Sequence, residues 1–314
     1  MINTAECVSN WHPDKICDLI ADNIVVECLN QDPESRCAIE VLGGHGQVVI
    51  SGEVTTKAIV DYCKITRDFY KSHCGKDIGV MCNIVTQSPD IALGVDRGGA
   101  GDQGIMYGYA CDENDLKIPQ EMYLARKLLE PFKVDAKSQV TIEDGLVTDV
   151  VLSVQGMEQE ALQEYVRVFL NSFNVRCSKY LNVYCNWTGK FEIGGFDADC
   201  GVTGRKIVVD QYGARVPVGG GAFSGKDFTK VDRSAAYFAR WIALDLLQRS
   251  FSHEVLVEIA YCIGKSEPLM VTATIDGEKR DVSDKYDCQP QSIIKFFKDK
   301  TIDLIKGGVT AVTL

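Results

Sequence analysis

Strand pairs alternating with single amphipathic helices recur along this chain, and that rhythm restricts it to two-layer units in which a sheet carries helices on one face. Arg36–Leu42 and Gln47–Ser51 read as two strands joined by Gly43-Gly44-His45-Gly46, a glycine-rich hairpin loop. Ahead of them Ile16, Leu19, Ile20 and Ile24 recur at helical spacing, behind Pro13 as a first-turn residue. A helix is expected next, from about Thr56 to Tyr70, with Ile59, Cys63 and Phe69 roughly on one face. Val147–Val154 alternates like a strand and Glu158–Leu170 like a helix. In the closing third Lys206–Tyr212 reads as a strand, Ser234–Leu247 as a helix, and Val255–Ile263 with Leu269–Ile275 as another strand pair. The fold class is therefore α+β. Three such units fit 314 residues, because a single core stops growing near ~250–300 residues.

Charge narrows the partners. The 44 acidic residues outnumber 33 Lys and Arg, a net charge of -11. A general nucleic-acid binder needs a positive face from which counterions are released, so nucleic acid is not an expected partner. No apolar run approaches the ~18 residues of a membrane helix. Met1–Glu6 has neither the basic nor the apolar stretch of a signal peptide, so a cytoplasmic protein is expected. Thirteen scattered cysteines form no C-x-x-C, and read as small buried hydrophobes rather than a zinc or redox centre.

Within this acidic chain the segment from Arg205 to Arg233 is an exception. It carries six basic residues (Arg205, Lys206, Arg215, Lys226, Lys230, Arg233) against Asp210, Asp227 and Asp232. Interleaved with glycine turns, it suits a polyphosphate pocket with its metal, against the plainer reading of a solvated face. Gly220–Asp227 is G-x-x-x-x-G-K followed by Asp, where a Walker loop requires the hydroxyl of Ser or Thr. Gly99–Gly104 matches G-x-G-x-x-G, but a loop-like run precedes it and strand-like Ile105–Tyr109 follows, so a dinucleotide fold is not expected. His12-Pro13-Asp14-Lys15 sits at a helix start, where anions are favoured. It is either a simple cap with a surface lysine or a place where Asp14 holds Mg²⁺ beside phosphate. His45, His73 and His253 read as surface residues.

Together these segments resemble the S-adenosylmethionine synthetase (methionine adenosyltransferase) family. Its SEGHPDK appears as Ser9–Lys15, GE-x-T-T as Gly52–Thr56, QSPDI as Gln87–Ile91 and GAGDQG as Gly99–Gly104. DAKSQVT is Asp135–Thr141, GRFxIGG is Gly189–Gly195, GLTGRK is Gly201–Lys206, and GGGAFSGKD is Gly219–Asp227, followed by Lys230–Tyr237. The resemblance implies three similar α+β domains related by pseudo-threefold symmetry, at 1–92, 98–192 and 193–314. It also implies a homodimer or pair of dimers with active sites between subunits, ATP and L-methionine as substrates, and Mg²⁺ and K⁺ as cofactors. His12, Lys137, Arg205 and Lys226 would be catalytic. Asp135, Ala136, Lys190, Phe191, Asp199, Lys206 and Ala222 would join them around ATP, with Phe191 stacked on adenine. Glu53, Gln87, Asp199 and Lys230 would bind methionine, Asp14 and Asp232 would hold Mg²⁺, and Glu40 would hold K⁺.

The chain departs from the family in replacing Glu-Gly before the histidine by Asn10-Trp11, which places an indole beside His12. Its segment between the QSPD and GAGDQG motifs is short, and the usual C-terminal AYGHFG stretch is absent, so a divergent, minimal member is expected. The rival is a non-catalytic paralogue that binds nucleotide or partners an active subunit.

Overall fold

The computed structural model describes residues 1–87, 98–307 and 310. Among them are strands β1 (Ile2–Val8), β2 (Arg36–Gly44), β3 (Gln47–Thr55), β4 (Gly79–Val85), β5 (Gly104–Cys111), β6 (Ala136–Glu143), β7 (Leu146–Val154), β8 (Cys177–Cys185), β9 (Gly201–Val202), β10 (Glu254–Tyr261), β11 (Met270–Ile275) and β12 (Glu278–Asp281). The helices are α1 (Pro13–Gln31), α2 (Tyr62–Cys74), α3 (Gln120–Leu129), α4 (Gln159–Ser172), α5 (Ile207–Asp210), α6 (Val231–Ser250), α7 (Pro290–Phe297) and α8 (Thr301–Lys306).

The strands form three four-stranded sheets, ordered β9-β2-β3-β4, β1-β6-β7-β8 and β5-β10-β11-β12. Each is built around a strand pair, and each borrows its outer strand from elsewhere in the chain. β1 pairs antiparallel with β6, β5 with β10, and β9 with β2. The exchange closes on itself: first third to second, second to third, third to first. It covers one open edge of every sheet, the place where unpaired backbone groups invite aggregation. Three two-residue turns tighten the hairpins, His45-Gly46, Asp144-Gly145 and Asp276-Gly277, all with positive φ at both positions. One glycine is demanded by packing. A Cβ on Gly108 of β5 would collide with the Ala239 backbone, so α6 could not lie on this strand.

Two expected elements differ. The helix expected from Thr56 begins at Tyr62, because residues 56–61 close the end of α1. Asp32 accepts from the Lys57 amide (2.7 Å) and Gln31 from the Ile59 amide (3.1 Å), while Asp61 caps α2 through the Lys64 amide (2.9 Å). The strand expected over Lys206–Tyr212 is instead one helical turn, α5. The carbonyls of Val209 and Gln211 accept from the Arg126 guanidinium instead of a neighbouring strand. The thirteen cysteines are all free thiols, and seven are buried, as small hydrophobes would be.

Candidate active site

Helix α1 organises the site. His12 is its N-cap: Nδ1 accepts from the Asp14 amide (3.1 Å), which leaves Nε2 to carry the proton of the neutral ring. The ring is nearly buried, and its pKa is pushed down to about 4. Burial is the main cause, and the Lys206 cation adds to it. The imidazole is therefore a neutral hydrogen-bond donor near pH 7.

Asp14 is 2% exposed. One oxygen accepts from the Val202 amide (2.9 Å) and the other from Lys206 Nζ (2.5 Å), with Arg205 Nε at 3.8 Å. Burial alone would raise its pKa, but the Lys206 hydrogen bond and the Val202 amide outweigh it and hold Asp14 below the usual carboxylate range. Lys137, on β6, and Asp199 both act electrostatically on His12 and on Asp135, so these residues share one neighbourhood. Asp135 accepts from the Gly195 amide (2.9 Å) and is pushed up by burial. Ala136 is fully buried and ties β6 to the chain before α1, its amide donating to Ser9 Oγ (3.1 Å) and its carbonyl accepting from the Ser9 amide (2.9 Å).

Two further carboxylates continue down α1. Asp14, Asp18 and Asp22 are spaced four apart, so they share one face. Like charges at that spacing destabilise an isolated helix. Here each is buried and each captures backbone from the last third of the chain. Asp18 accepts from the Gly204 amide (2.9 Å) and the Ser224 hydroxyl (2.6 Å). Asp22 accepts from the Gly225 amide (2.9 Å) and takes Arg233 through two bonds of 2.7 and 2.8 Å. The carboxylates thus pin the loops that carry Arg205, Lys206 and Lys226. Sequence reading passed over Asp18 and Asp22. The signal was their register with Asp14, among the apolar positions Ile16, Leu19, Ile20 and Ile24.

The second cationic loop ends at Lys226, whose Nζ lies 2.7 Å from Asp232 on the first turn of α6. Ala222 faces Gly204: a Cβ there would come within 2.7 Å of the alanine's. Lys230 is the N-cap residue of α6, half-buried. Asp227 lies among the backbone amides of Cys37 and Thr229 (both 2.7 Å), as a structural anchor. Glu40 and Glu53 stand on one face of the β2–β3–β4 sheet, where Glu40 accepts from the Thr203 hydroxyl. Lys226 forms a bridge with Ala38, the residue opposite Glu53, which puts the carboxylate beside this loop. Gln87 is buried, and its Oε1 takes no hydrogen bond among the described residues. It borders residues 88–97, where the rest of the QSPDI motif lies outside the described residues. Lys190 is exposed and paired with Glu192 (3.1 Å), and Phe191 is half-buried beside it. No described contact joins these two to His12.

Three expectations are corrected. The Trp11 indole does not stand against His12 but stacks on His73 (4.4 Å, 11° between planes) and donates to its carbonyl (3.0 Å). His73 is in turn sandwiched by Phe69, so it is packed rather than free at the surface. Lys15 is no surface lysine. It is 5% exposed, 2.6 Å from Asp210 and 3.1 Å from Asp18.

The donors suit magnesium better than a metal that needs a full protein cage. Among the described residues no group of three or more His, Cys, Asp or Glu converges, but Asp14 and Asp232 each place a hard carboxylate beside a cationic loop. Magnesium keeps several waters and takes one or two carboxylates plus substrate phosphates. The Glu40 carboxylate likewise offers oxygen to a hard cation.

Three sequence models match: the N-terminal domain of S-adenosylmethionine synthetase over residues 1–89, its central domain over 97–191 and its C-terminal domain over 193–305. The S-adenosylmethionine synthase of Brachyspira hyodysenteriae is 40% identical, the alignment covering 93% of this chain and 88% of the relative. That of Petrotoga mobilis is 39% identical over 94% and 88%. A solved S-adenosylmethionine synthetase from Campylobacter jejuni superposes with a TM-score of 0.84 at 30% identity, covering 99% of this chain and 94% of the other.

Proposed function

The chain belongs to the S-adenosylmethionine synthetase family, and from that premise we propose that it joins ATP and L-methionine into S-adenosylmethionine and then hydrolyses the released triphosphate. The methionine sulfur attacks the 5′ carbon of ATP in line. A carbon–sulfur bond forms, the carbon–oxygen bond breaks, and triphosphate leaves with the electron pair. Water then splits it to pyrophosphate and phosphate. No protein nucleophile is required, so positioning and charge neutralisation carry the catalysis.

The observation that carries this reading is the cluster at the head of α1: neutral His12 beside Asp14, Arg205, Lys206 and Lys137. In the proposed roles, His12 Nε2 donates to the leaving oxygen, Lys137, Arg205, Lys206 and Lys226 hold the triphosphate, and Asp135, Ala136, Lys190, Phe191 and Ala222 frame the nucleotide. Glu53, Gln87, Asp199 and Lys230 hold methionine, a carboxylate meeting its ammonium. Asp14 and Asp232 would hold Mg²⁺ and Glu40 K⁺; these ions supply positive charge to the polyphosphate. Both proposed magnesium carboxylates are paired with ammonium groups (Lys206 and Lys226). With polyphosphate bound, Lys206 and Lys226 would be free to pair with phosphate oxygens, and Asp14 and Asp232 would then be available to hold magnesium, whose charge would offset theirs.

The division at 1–92, 98–192 and 193–314 and a homodimer, or pair of dimers, with sites between subunits belong to the same reading. Supporting the dimer, the sheet face that carries Glu40 and Glu53 also exposes Leu42, Val49, Met81 and Val85, apolar side chains that a second copy could cover. Among the described residues no helix is long and apolar enough to cross a membrane. Purified protein given ATP, methionine, Mg²⁺ and K⁺ tests the reading. Equal amounts of S-adenosylmethionine and phosphate support it. Phosphate without S-adenosylmethionine marks a bare triphosphatase, and neither product marks the non-catalytic paralogue; both overturn it.

A further inference from the structure

Lys15, Asp18 and Asp210 have no part in the reaction as just described, yet they form a buried charge cluster directly behind the site. Asp18 is fully buried in the second turn of α1. Its Oδ1 accepts at once from the Gly204 amide, whose loop continues into Arg205 and Lys206, and from the Ser224 hydroxyl, two residues before Lys226. Among the described residues its Oδ2 takes no well-formed hydrogen bond, and it lies 3.1 Å from Lys15 Nζ. Lys15 is already matched by Asp210 at 2.6 Å. Lys15 thus meets two buried carboxyl groups, and with Asp210 the nearer partner, Asp18 is not needed to pair it. What the second carboxylate does is fasten two loops to one point.

We propose that Asp18 is a positioning residue for the transfer reaction: it sets the spacing of the Arg205–Lys206 loop against the Lys226 loop, and so the geometry in which polyphosphate is held. The inference rests on the synthetase reading above. Asp18 touches no substrate and acts through backbone and a hydroxyl. An error of about 1 Å in such a frame can cost about 100-fold in rate. Methionine, met also by Glu53 on β3 and by Gln87 in the proposed roles, should sense it less than the polyphosphate does.

The test compares Asp18→Ala, Asp18→Asn and Ser224→Ala with the unaltered chain, rates being expressed per folded, active site. Asp18→Ala should lower kcat about 100-fold and weaken inhibition by added tripolyphosphate about 10-fold, with KM for methionine within about 3-fold of the parent. Asp18→Asn keeps an acceptor oxygen for both loops, so it should recover most of the rate. Ser224→Ala removes one buried hydroxyl from the clamp while the Gly204 bond stays, and should lower kcat about 3- to 10-fold, less than Asp18→Ala does. It carries the test if Asp18→Ala does not fold. A merely structural Asp18 would reduce the yield of folded protein but leave kcat per site and tripolyphosphate inhibition unchanged, and that result overturns the proposal. If the unaltered chain makes no S-adenosylmethionine, the synthetase reading fails instead, a distinct outcome.

Discussion

Replacing Arg233 by Leu tests how firmly the cationic loops are held to α1. Arg233 is fully buried and gives two charge-assisted hydrogen bonds to Asp22 and a third to the Lys226 carbonyl (3.1 Å). Leucine would leave the Asp22 carboxylate buried with, among the described residues, the Gly225 amide as its one hydrogen-bond donor. Removing one member of a buried ion pair costs about 3–5 kcal/mol, mostly the stranded charge. The unfolding entropy of about 2.1 cal/mol/K per residue gives about 0.66 kcal/mol/K for a chain this long, so Tm should fall by about 5–8 °C if the molecule unfolds as one unit. Adding Asp22→Asn removes the stranded charge and keeps the acceptor for Gly225, so the double variant should regain at least half of the loss. Differential scanning calorimetry at fixed pH and salt reads both. A fall below about 1 °C, or a double variant less stable than Arg233→Leu, would refute the reasoning.

Other predictions concern separate parts of the molecule. Asp210 has its pKa pushed up to about 7, by burial above all, despite Lys15 beside it. The stability that comes from its bound proton is present below about pH 4 and lost as pH rises through about 7. The native chain should therefore lose Tm relative to Asp210→Asn between pH 5 and 8, and parallel curves would contradict this. Gly108→Ala forces α6 away from β5 and should destabilise by more than the ~1–3 kcal/mol of ordinary overpacking, read by urea denaturation. Lys137→Met should cut S-adenosylmethionine formation by at least about 100-fold with an unchanged circular dichroism spectrum, and near-normal turnover removes Lys137 from its role.

What could be read from the sequence was local. The hairpin loop at Gly43–Gly46 and helix α1 behind Pro13 are each signalled by neighbouring residues, and the structure has both, although β2 runs on through Gly44 and leaves only His45-Gly46 to turn. The three-way strand exchange was not legible, because β1, β5 and β9 pair across more than a hundred residues and nothing in their own composition names the partner. The start of α2 moved because Thr56–Asp61 serve the end of another helix. Val208 and Val209 read as a strand until Arg126, 83 residues before Val209, claims the carbonyls around them. Lys15 looks like any surface lysine until Asp210 arrives beside it, and Trp11 finds His73 only once α2 is in place.

A structure determined with a non-hydrolysable ATP analogue, methionine and Mg²⁺ bears most directly on where the chemistry happens. The triphosphate should lie against Lys137, Arg205, Lys206 and a Lys226 side chain, its 5′ carbon facing the methionine sulfur and the bridging oxygen within hydrogen-bond reach of His12 Nε2. An analogue bound elsewhere, with Lys206 and Lys226 still closed on Asp14 and Asp232, would contradict the account.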